Sequence, residues 1–312
     1  MISVFDTSIA AYNLGNQIIM DAVISQLDSL FPKEPLIRIQ VEDIGTNARK
    51  YNNGSLVTFV GGTNILNGDI RRYRQWDLNL HNALMLKRCV LMGCGWFQYE
   101  SKSPTQYTEW VFNRILSKEY IHSVRDEYTK YKLDSIGIKS INTGCPTLWK
   151  LDPNLSLING REKSSTCVIT YTDYNQDIKR DKNLFDIIQN NYSTIYLFAQ
   201  GTGDLEYIKK LDIADKVCLI NPKLRDFDSV LERGADYIGT RLHAGIRALQ
   251  KGQRSIILGI DNRALEMAND FNLPVVDVDK IESIDSIINS PYCVHLQLPL
   301  SNIQEWKAQF RI

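Results

Sequence analysis

The sequence has no surplus of charge of either sign: 36 Lys and Arg stand against 36 Asp and Glu in 312 residues. A protein built to neutralise many nucleic-acid phosphates needs an excess of basic side chains. Nucleic acid is therefore excluded as the main partner, and only local basic patches remain. Long hydrophobic runs are missing as well, since no segment approaches the ~20 apolar residues of a spanning helix. No transmembrane segment is expected. Cysteine is sparse and scattered: Cys89, Cys94, Cys145, Cys167, Cys218 and Cys293. Only the first two lie close together, at a spacing that suits neither a zinc knuckle nor a redox pair, which points to a reducing compartment. No His/Cys/Asp cluster suggests a metal, and no Gly-x-Ser-x-Gly elbow suggests a hydrolase. The first residues carry no basic stretch and reach Asp6 before an apolar run is long enough for a signal peptide. The expectation is a cytoplasmic protein, with peripheral attachment at the inner face of a membrane left open. With 44% apolar and 23% charged residues along the whole chain, disorder is excluded too.

What is present is a rhythm. Short runs rich in Val, Ile, Phe and Tyr recur, each followed by a glycine or polar turn and a segment of helical spacing. In the first half the strands are expected at Ile2–Phe5, Leu36–Val41, Leu56–Val60, Lys87–Met92, Tyr120–Val124 and Ser140–Thr143, with helices at Asn16–Leu30, Trp76–Leu84, Pro104–Leu116 and Asp126–Ile136. Pro146, Pro153 and Asn159-Gly160 interrupt the pattern and mark a linker. Strands then recur at Cys167–Tyr171, Thr194–Phe198, Val217–Ile220, Tyr237–Thr240 and Ser255–Leu258. Helices follow them at Asp181–Asn190, Leu205–Leu211, Asp226–Arg233, Leu242–Gln250 and Ala264–Asn272. The fold class is α/β with two open parallel sheets of similar size, and ligands collect outside the carboxyl ends of such strands, in the cleft between the sheets. The expected domains are residues 1–150 and 160–299, with 300–312 an amphipathic helix that returns to the first domain.

The richest segment is Ala235 to Leu249. A strand ends where Arg241, Leu242 and His243 open a helix, so free N–H groups and the positive end of the helix dipole meet any anion there. Arg241 adds a planar fork suited to carboxylate or phosphate. His243 can donate a proton near neutral pH. Equal weight goes to a purely structural pair, with Arg241 held by an inter-domain acid and His243 satisfied in the core.

Four glycine turns share a position after a strand: Asn13-Leu14-Gly15-Asn16, Gly61-Gly62-Thr63-Asn64, Gly93-Cys94-Gly95 and Gly201-Thr202-Gly203-Asp204. Each permits close backbone approach to a ligand, and none matches a dinucleotide or Walker pattern. Ser123-Val124-Arg125-Asp126 ends another strand, where Arg125 either faces the same cleft or forms a surface ion pair with Asp126 or Glu127. His81, His122 and His295 lack metal-ligand spacing and are taken as structural or solvated. Trp96, Phe97 and Tyr99 are taken as core.

Taken in order, Asn13-x-Gly15, Gly61-Gly62, Ser123-x-Arg125-Asp126, Gly144-x-Pro146, and Arg241-x-His243 with Ala248, Gly252 and the strand to Asp261 resemble the polysaccharide pyruvyl transferases. The resemblance implies two Rossmann-like domains facing a central cleft, GT-B-like, with the acceptor on the first and the donor on the second. It implies transfer of the pyruvyl group of phosphoenolpyruvate onto sugar hydroxyls of a cell-surface polysaccharide, or its lipid-linked precursor, as a ketal with release of phosphate. No metal or organic cofactor is implied. By the same resemblance His243 and Arg241 are catalytic, and Arg125, Asn13, Gly15, Gly61, Gly62 and Arg263 bind substrate; Leu242, at the start of the same helix, and Gly201, in the fourth glycine turn, are added as substrate-binding residues. The chain departs from the family's pattern at Asn16, where an acid is usual, at Cys145, where Asp is common, and at Arg263, where Lys is usual and the charge is kept. Two other readings stay open: a GT-B glycosyltransferase using a nucleotide sugar, and a relative that binds phosphoenolpyruvate or glycan without turnover.

Overall fold

The computed structural model describes residues 1–310. In chain order the elements are β1 (Ile2–Asp6), α1 (Leu14–Leu30), β2 (Leu36–Gln40), α2 (Thr46–Gly54), β3 (Thr58–Gly61), α3 (Leu80–Met85), β4 (Cys89–Met92), α4 (Gln106–Ile115), β5 (His122–Val124), α5 (Glu127–Asp134) and β6 (Ser140–Asn142). They continue with β7 (Thr166–Thr170), α6 (Ile178–Asn191), β8 (Thr194–Leu197), α7 (Thr202–Leu211), β9 (Cys218–Leu219), α8 (Leu224–Glu232), β10 (Asp236–Gly239), α9 (Leu242–Gln250), β11 (Ser255–Gly259), α10 (Asn262–Phe271), β12 (Val275–Asp277), α11 (Ile284–Asn289) and α12 (Leu300–Ala308). All the paired strands run parallel. Helices supply the crossovers that parallel pairing demands, so the strands β1, β3, β4, β7, β10 and β11 are buried on both faces, while β2, β9 and β12 at the sheet edges are partly exposed. The fold is α/β, as the sequence rhythm implies.

Two compact units divide the chain, the first made of Met1–Ala11, Ile19–Trp149 and the stretch from Leu298, the second of Tyr12–Ile18 and Lys150–Gln297. In the first unit the sheet order is β2-β1-β3-β4, with β5 and β6 forming a separate pair. An isolated bridge from Cys94, just past β4, to Val124 of β5 connects the two groups. Gly61 ends β3 under α1, where a Cβ would lie 2.8 Å from Met20 Sδ, and Gly62 has φ +42° with its Cβ position 2.2 Å from Ile19. A side chain at either place would push α1 off the sheet. Within this unit α12 packs the fully buried Trp306 against Phe59, Trp149 and Phe310, at ring separations of 6.0, 5.5 and 4.9 Å. Asn302 donates to the Asn142 carbonyl at 2.8 Å.

The second unit is one six-stranded sheet, β12-β11-β10-β7-β8-β9. Gly245 lets α9 lie close on it, since a Cβ there would stand 2.3 Å from Ile257.

Several elements differ from expectation. The helix expected over Trp76–Leu84 forms only from Leu80, because Asn79 accepts the Asn82 N–H at 2.9 Å and caps it there. α2 gives little signal in TNARKYNNG, where only Ala48 and Asn52 are buried and Asn and Gly dilute helix propensity. β12 and α11 were likewise not anticipated: both are short, and β12 lies at the sheet edge.

Candidate functional site

In the second unit β10, β7 and β8 are neighbours, and their carboxyl ends carry Arg241, Thr170 to Tyr174, and Gln200 to Asp204 respectively. Asp204, in the first turn of α7, is the hub. Its carboxylate accepts from the Gln200 N–H at 3.0 Å, from the Asp173 N–H at 3.2 Å and from Nη2 of Arg241. Burial pushes the Asp204 carboxyl above its usual range, and the charge and hydrogen bond of Arg241 pull the other way. Gly203 makes the approach possible, because a Cβ would fall 2.1 Å from Oδ2 of Asp173. The same Nη2 of Arg241 stands 3.4 Å from Asp173. The acid that holds Arg241 thus comes from its own unit.

The backbone of Arg241 is fixed separately. Its N–H donates to Thr170 Oγ1 at 3.2 Å, Tyr237 Oη donates to its carbonyl at 2.8 Å, and Thr170 Oγ1 and Tyr237 Oη are 2.6 Å apart. The donor inventory closes this ring in one direction only, with the threonine hydroxyl donating to the tyrosine. Burial raises the Tyr237 pKa, so the phenol keeps its proton. Gly239 accommodates Thr170, whose Oγ1 would be 2.3 Å from a Cβ.

Arg241 is the N-cap of α9 and makes no side-chain cap. Leu242 and His243 follow in the first turn, both buried. Around Asp204, three buried side-chain groups have no hydrogen-bond partner among the described residues: Arg241 Nε, Gln200 Nε2 and Thr172 Oγ1. Each can donate. Buried donors left unpaired cost free energy, and here they sit beside a guanidinium and a helix N-terminus, which suits an anion.

Tyr174 adds a platform. Its ring lies under the guanidinium carbons of Arg241 and Arg263, at 5.3 and 5.6 Å, and is about half exposed. Its hydroxyl donates to Asp261 Oδ2 at 3.2 Å and accepts from Arg263 Nη2. Asp261 caps α10 and binds Arg263 Nε at 3.0 Å. Burial works against the charge on Arg263, but Tyr174 and Asp261 hold its pKa above the ordinary value.

The amino-terminal motif also belongs to this unit. Asn13 Oδ1 accepts the Gly15 N–H at 2.8 Å, and the Leu14 N–H donates to the Gln200 carbonyl at 3.0 Å. A Cβ on Gly15 would be 3.0 Å from Oε1 of Gln200, and one on Gly201 would be 3.4 Å from the Tyr12 carbonyl. Asn13, Gly15 and Gly201 therefore join Arg241, Leu242, His243 and Arg263 in one unit.

Arg125, Gly61 and Gly62 lie in the other. Arg125 is fully buried, so the surface pair expected for it is a buried one: Nε is 3.0 Å from Asp126 Oδ2, and Nη1 is 3.2 Å from Asn64 Oδ1. Its Nη2 has no partner among the described residues. The guanidinium lies against Gly95, where a Cβ would be 2.2 Å from Cζ. Beside it are Cys94 and Cys145, both buried. Burial raises both thiols, Cys94 to about 12, against the pull of the arginine. The departure from Asp at 145 therefore places a neutral thiol near Arg125. His122 is structural, its Nδ1 accepting from Leu91 N–H at 3.1 Å and its Nε2 set 3.0 Å from the Ser117 carbonyl. Among the described residues no group of His, Cys, Asp and Glu is placed to hold a metal ion. No helix there is long and apolar enough to cross a membrane.

Asp173, Tyr174, Thr170 and Tyr237 escaped the sequence reading. Asp204 lies within a glycine turn that was singled out, and Tyr237 stands four residues before Arg241. Nothing in the residues themselves marks Tyr174.

Parallel sheets with their crossover helices define an α/β protein of GT-B-like fold. Over 99% of this chain and 97% of its own, a Methanocaldococcus jannaschii UDP-GlcNAc 2-epimerase, solved with UDP-GlcNAc and UDP, is similar in fold, with a TM-score of 0.54 and 14% identity. A Neisseria meningitidis UDP-GlcNAc 2-epimerase bound to UDP-GlcNAc gives 0.47 and 13%, covering 100% of this chain and 94% of that one. The wall teichoic acid polymerase TagF gives 0.43 and 12%, covering 99% and 82%. No protein of curated function matches in sequence. The model of the polysaccharide pyruvyl transferase family matches residues 13–262, and the chain belongs to that family.

Proposed function

We propose that the chain transfers the pyruvyl group of phosphoenolpyruvate onto two hydroxyls of a sugar, in a polysaccharide or its precursor, working in the cytoplasm. The observation that carries the reading is the set of unpartnered donors at adjoining strand ends, Arg241 Nε, Gln200 Nε2 and Thr172 Oγ1, beside the start of α9. Phosphoenolpyruvate carries a carboxylate and a phosphate, and such donors match either group. Arg263, over the same tyrosine ring as Arg241, adds a second cation. Arg125, in the other unit, has an unpartnered nitrogen of its own among the described residues.

The chemistry balances without an outside oxidant or reductant. His243 gives a proton to the methylene carbon, which becomes a methyl group, and positive charge develops at C2. One sugar hydroxyl bonds to C2 and loses its proton to a base. The C2–O bond to phosphate breaks, phosphate leaves with the electron pair, and the second hydroxyl closes the ketal and loses its proton. Arg241 balances negative charge on the donor throughout.

The test is release of phosphate from phosphoenolpyruvate against a panel of glycan acceptors. Release that depends on acceptor supports the reading. Stabilisation by UDP, with none by phosphoenolpyruvate, would turn it toward a nucleotide-sugar glycosyltransferase. Binding of phosphoenolpyruvate without release under any acceptor would mark a non-catalytic relative.

A further inference from the structure

Four large apolar side chains stand out of one face of the first unit: Leu80, Leu84 and Met85 of α3 and Trp110 of α4, between 41% and 56% exposed. Leu80 and Leu84 are one turn apart and share a side of α3. Arg114 of α4 donates to the Leu84 carbonyl at 3.2 Å, which ties the two helices together. Trp110 lies 5.9 Å from the ring of Tyr107, and the guanidinium of Arg71 lies 4.9 Å over that ring. A hollow of about 210 Å³, lined among others by Arg71, Arg74, Leu80 and Tyr107, joins the apolar and basic residues into one surface.

Charge on this surface is mainly positive. Arg71, Arg72, Arg74 and Arg114 are all exposed. Of the acids nearby, Asp77 is engaged by Asn82 at 2.9 Å and by Asn79 at 3.3 Å, Asp69 accepts the Arg71 N–H at 3.3 Å, and Glu109 is exposed. Apolar side chains ringed by arginines are the composition of an interfacial membrane contact, in which aromatic and leucine side chains enter the headgroup layer and the cations meet anionic lipid. A second copy docked through the same face would set arginines against arginines about its two-fold axis.

We propose that this face of α3, α4 and the Arg71–Arg74 segment docks on an anionic lipid surface. The inference stands apart from the proposed reaction, because it uses none of the residues assigned to phosphoenolpyruvate.

Flotation of the full chain with vesicles of phosphatidylcholine alone, and of phosphatidylcholine mixed with phosphatidylglycerol, tests it. Binding is expected only to the mixed vesicles, weakening as salt is raised. Arg71→Gln with Arg74→Gln should weaken it about 25-fold, on the order of 5-fold per cation removed. Leu84→Asp should weaken it as well, while Lys209→Gln with Lys210→Gln, a charge-matched pair in the second unit, should not. All these positions are exposed, and an unchanged Tm shows that the variants fold. No flotation, equal flotation with both vesicles, or equal loss in the Lys209/Lys210 pair would overturn the proposal. So would a wild-type dimer in light scattering that Leu84→Asp dissolves with no vesicle binding, since the face would then serve a second copy.

Discussion

The hydroxyl of Tyr237 donates to the carbonyl of Arg241 at 2.8 Å, and through Thr170 the same hydrogen-bonded ring returns to the Arg241 N–H. Both backbone polar groups of the residue that caps α9 are therefore set from inside the sheet, leaving its side chain to be aimed by Asp204 and Tyr174. Tyr237→Phe keeps the buried ring but leaves the Thr170 hydroxyl without its acceptor and takes one donor from the Arg241 carbonyl, which keeps the Ala244 and Gly245 N–H groups, at a cost of ~1–3 kcal/mol. Thermal denaturation should show that loss. A positioning role also predicts a weaker affinity for phosphoenolpyruvate in the folded variant, and Thr170→Val should do the same without the two effects adding. Lost stability with wild-type affinity would reduce the ring to a structural device.

Arg241→Lys keeps the charge but gives up the planar fork and the Nε–H. A lysine can still reach an acid, yet it cannot hold Asp204 with one nitrogen and present another donor at fixed geometry. Phosphoenolpyruvate affinity, read by calorimetry, should fall about 10- to 100-fold, the worth of one charge-assisted hydrogen bond. Wild-type affinity would remove Arg241 from the site.

Gly95→Ala tests the buried arginine of the first unit. The new methyl would stand 2.2 Å from Cζ of Arg125, which Asp126 and Asn64 hold in place. Overpacking of this kind costs ~1–3 kcal/mol. Adding Arg125→Lys, which lacks the guanidinium carbon, should recover part of the lost Tm, so the double variant should be more stable than the sum of the singles predicts. Simple additivity would show that the two residues do not press on each other.

Much of this was legible in the sequence, because parallel strands buried on both faces leave short apolar runs that only alternation with helices explains. The start of α9 was visible at Arg241-Leu242-His243, and its limits match those expected. What stayed hidden was partnership. Asp204 and Arg241 are 37 residues apart, and nothing local says that they meet. The burial of Arg125 was hidden for the same reason, since an Arg-Asp pair reads identically at a surface and in a core. α2 was missed because its segment carries little apolar periodicity, and the placement of Asn13 and Gly15 with Gln200 and Gly201 depends on tertiary contacts alone.

Burial lowers the His122 pKa to about 4, against the pull of its contact with the Ser117 carbonyl. Its ordinary value is 6.5, so between pH 6.5 and 4 the unfolded chain binds a proton that the folded chain refuses. This contribution is complete above pH 6.5 and is lost as the pH falls through that window, amounting to ~3 kcal/mol at its limit. NMR should show the His122 ring still neutral at pH 5. A His122 ring that titrates near 6.5 would contradict the paired, neutral imidazole.

His243 separates catalysis from binding. If it delivers the proton to the methylene carbon, His243→Asn keeps a polar group of similar size and loses only the acid. Phosphoenolpyruvate should then bind with nearly wild-type affinity through Arg241 and its neighbours, while turnover falls ~10²–10⁴-fold. A residue that only binds the phosphate would lose affinity and turnover together. A purely structural histidine, which its burial at the start of α9 also allows, would cost Tm and leave the turnover of the folded fraction unchanged. Calorimetry, a phosphate-release assay and a melting curve on one variant therefore assign His243 to one of the three roles, and either of the last two results removes it as the proton donor.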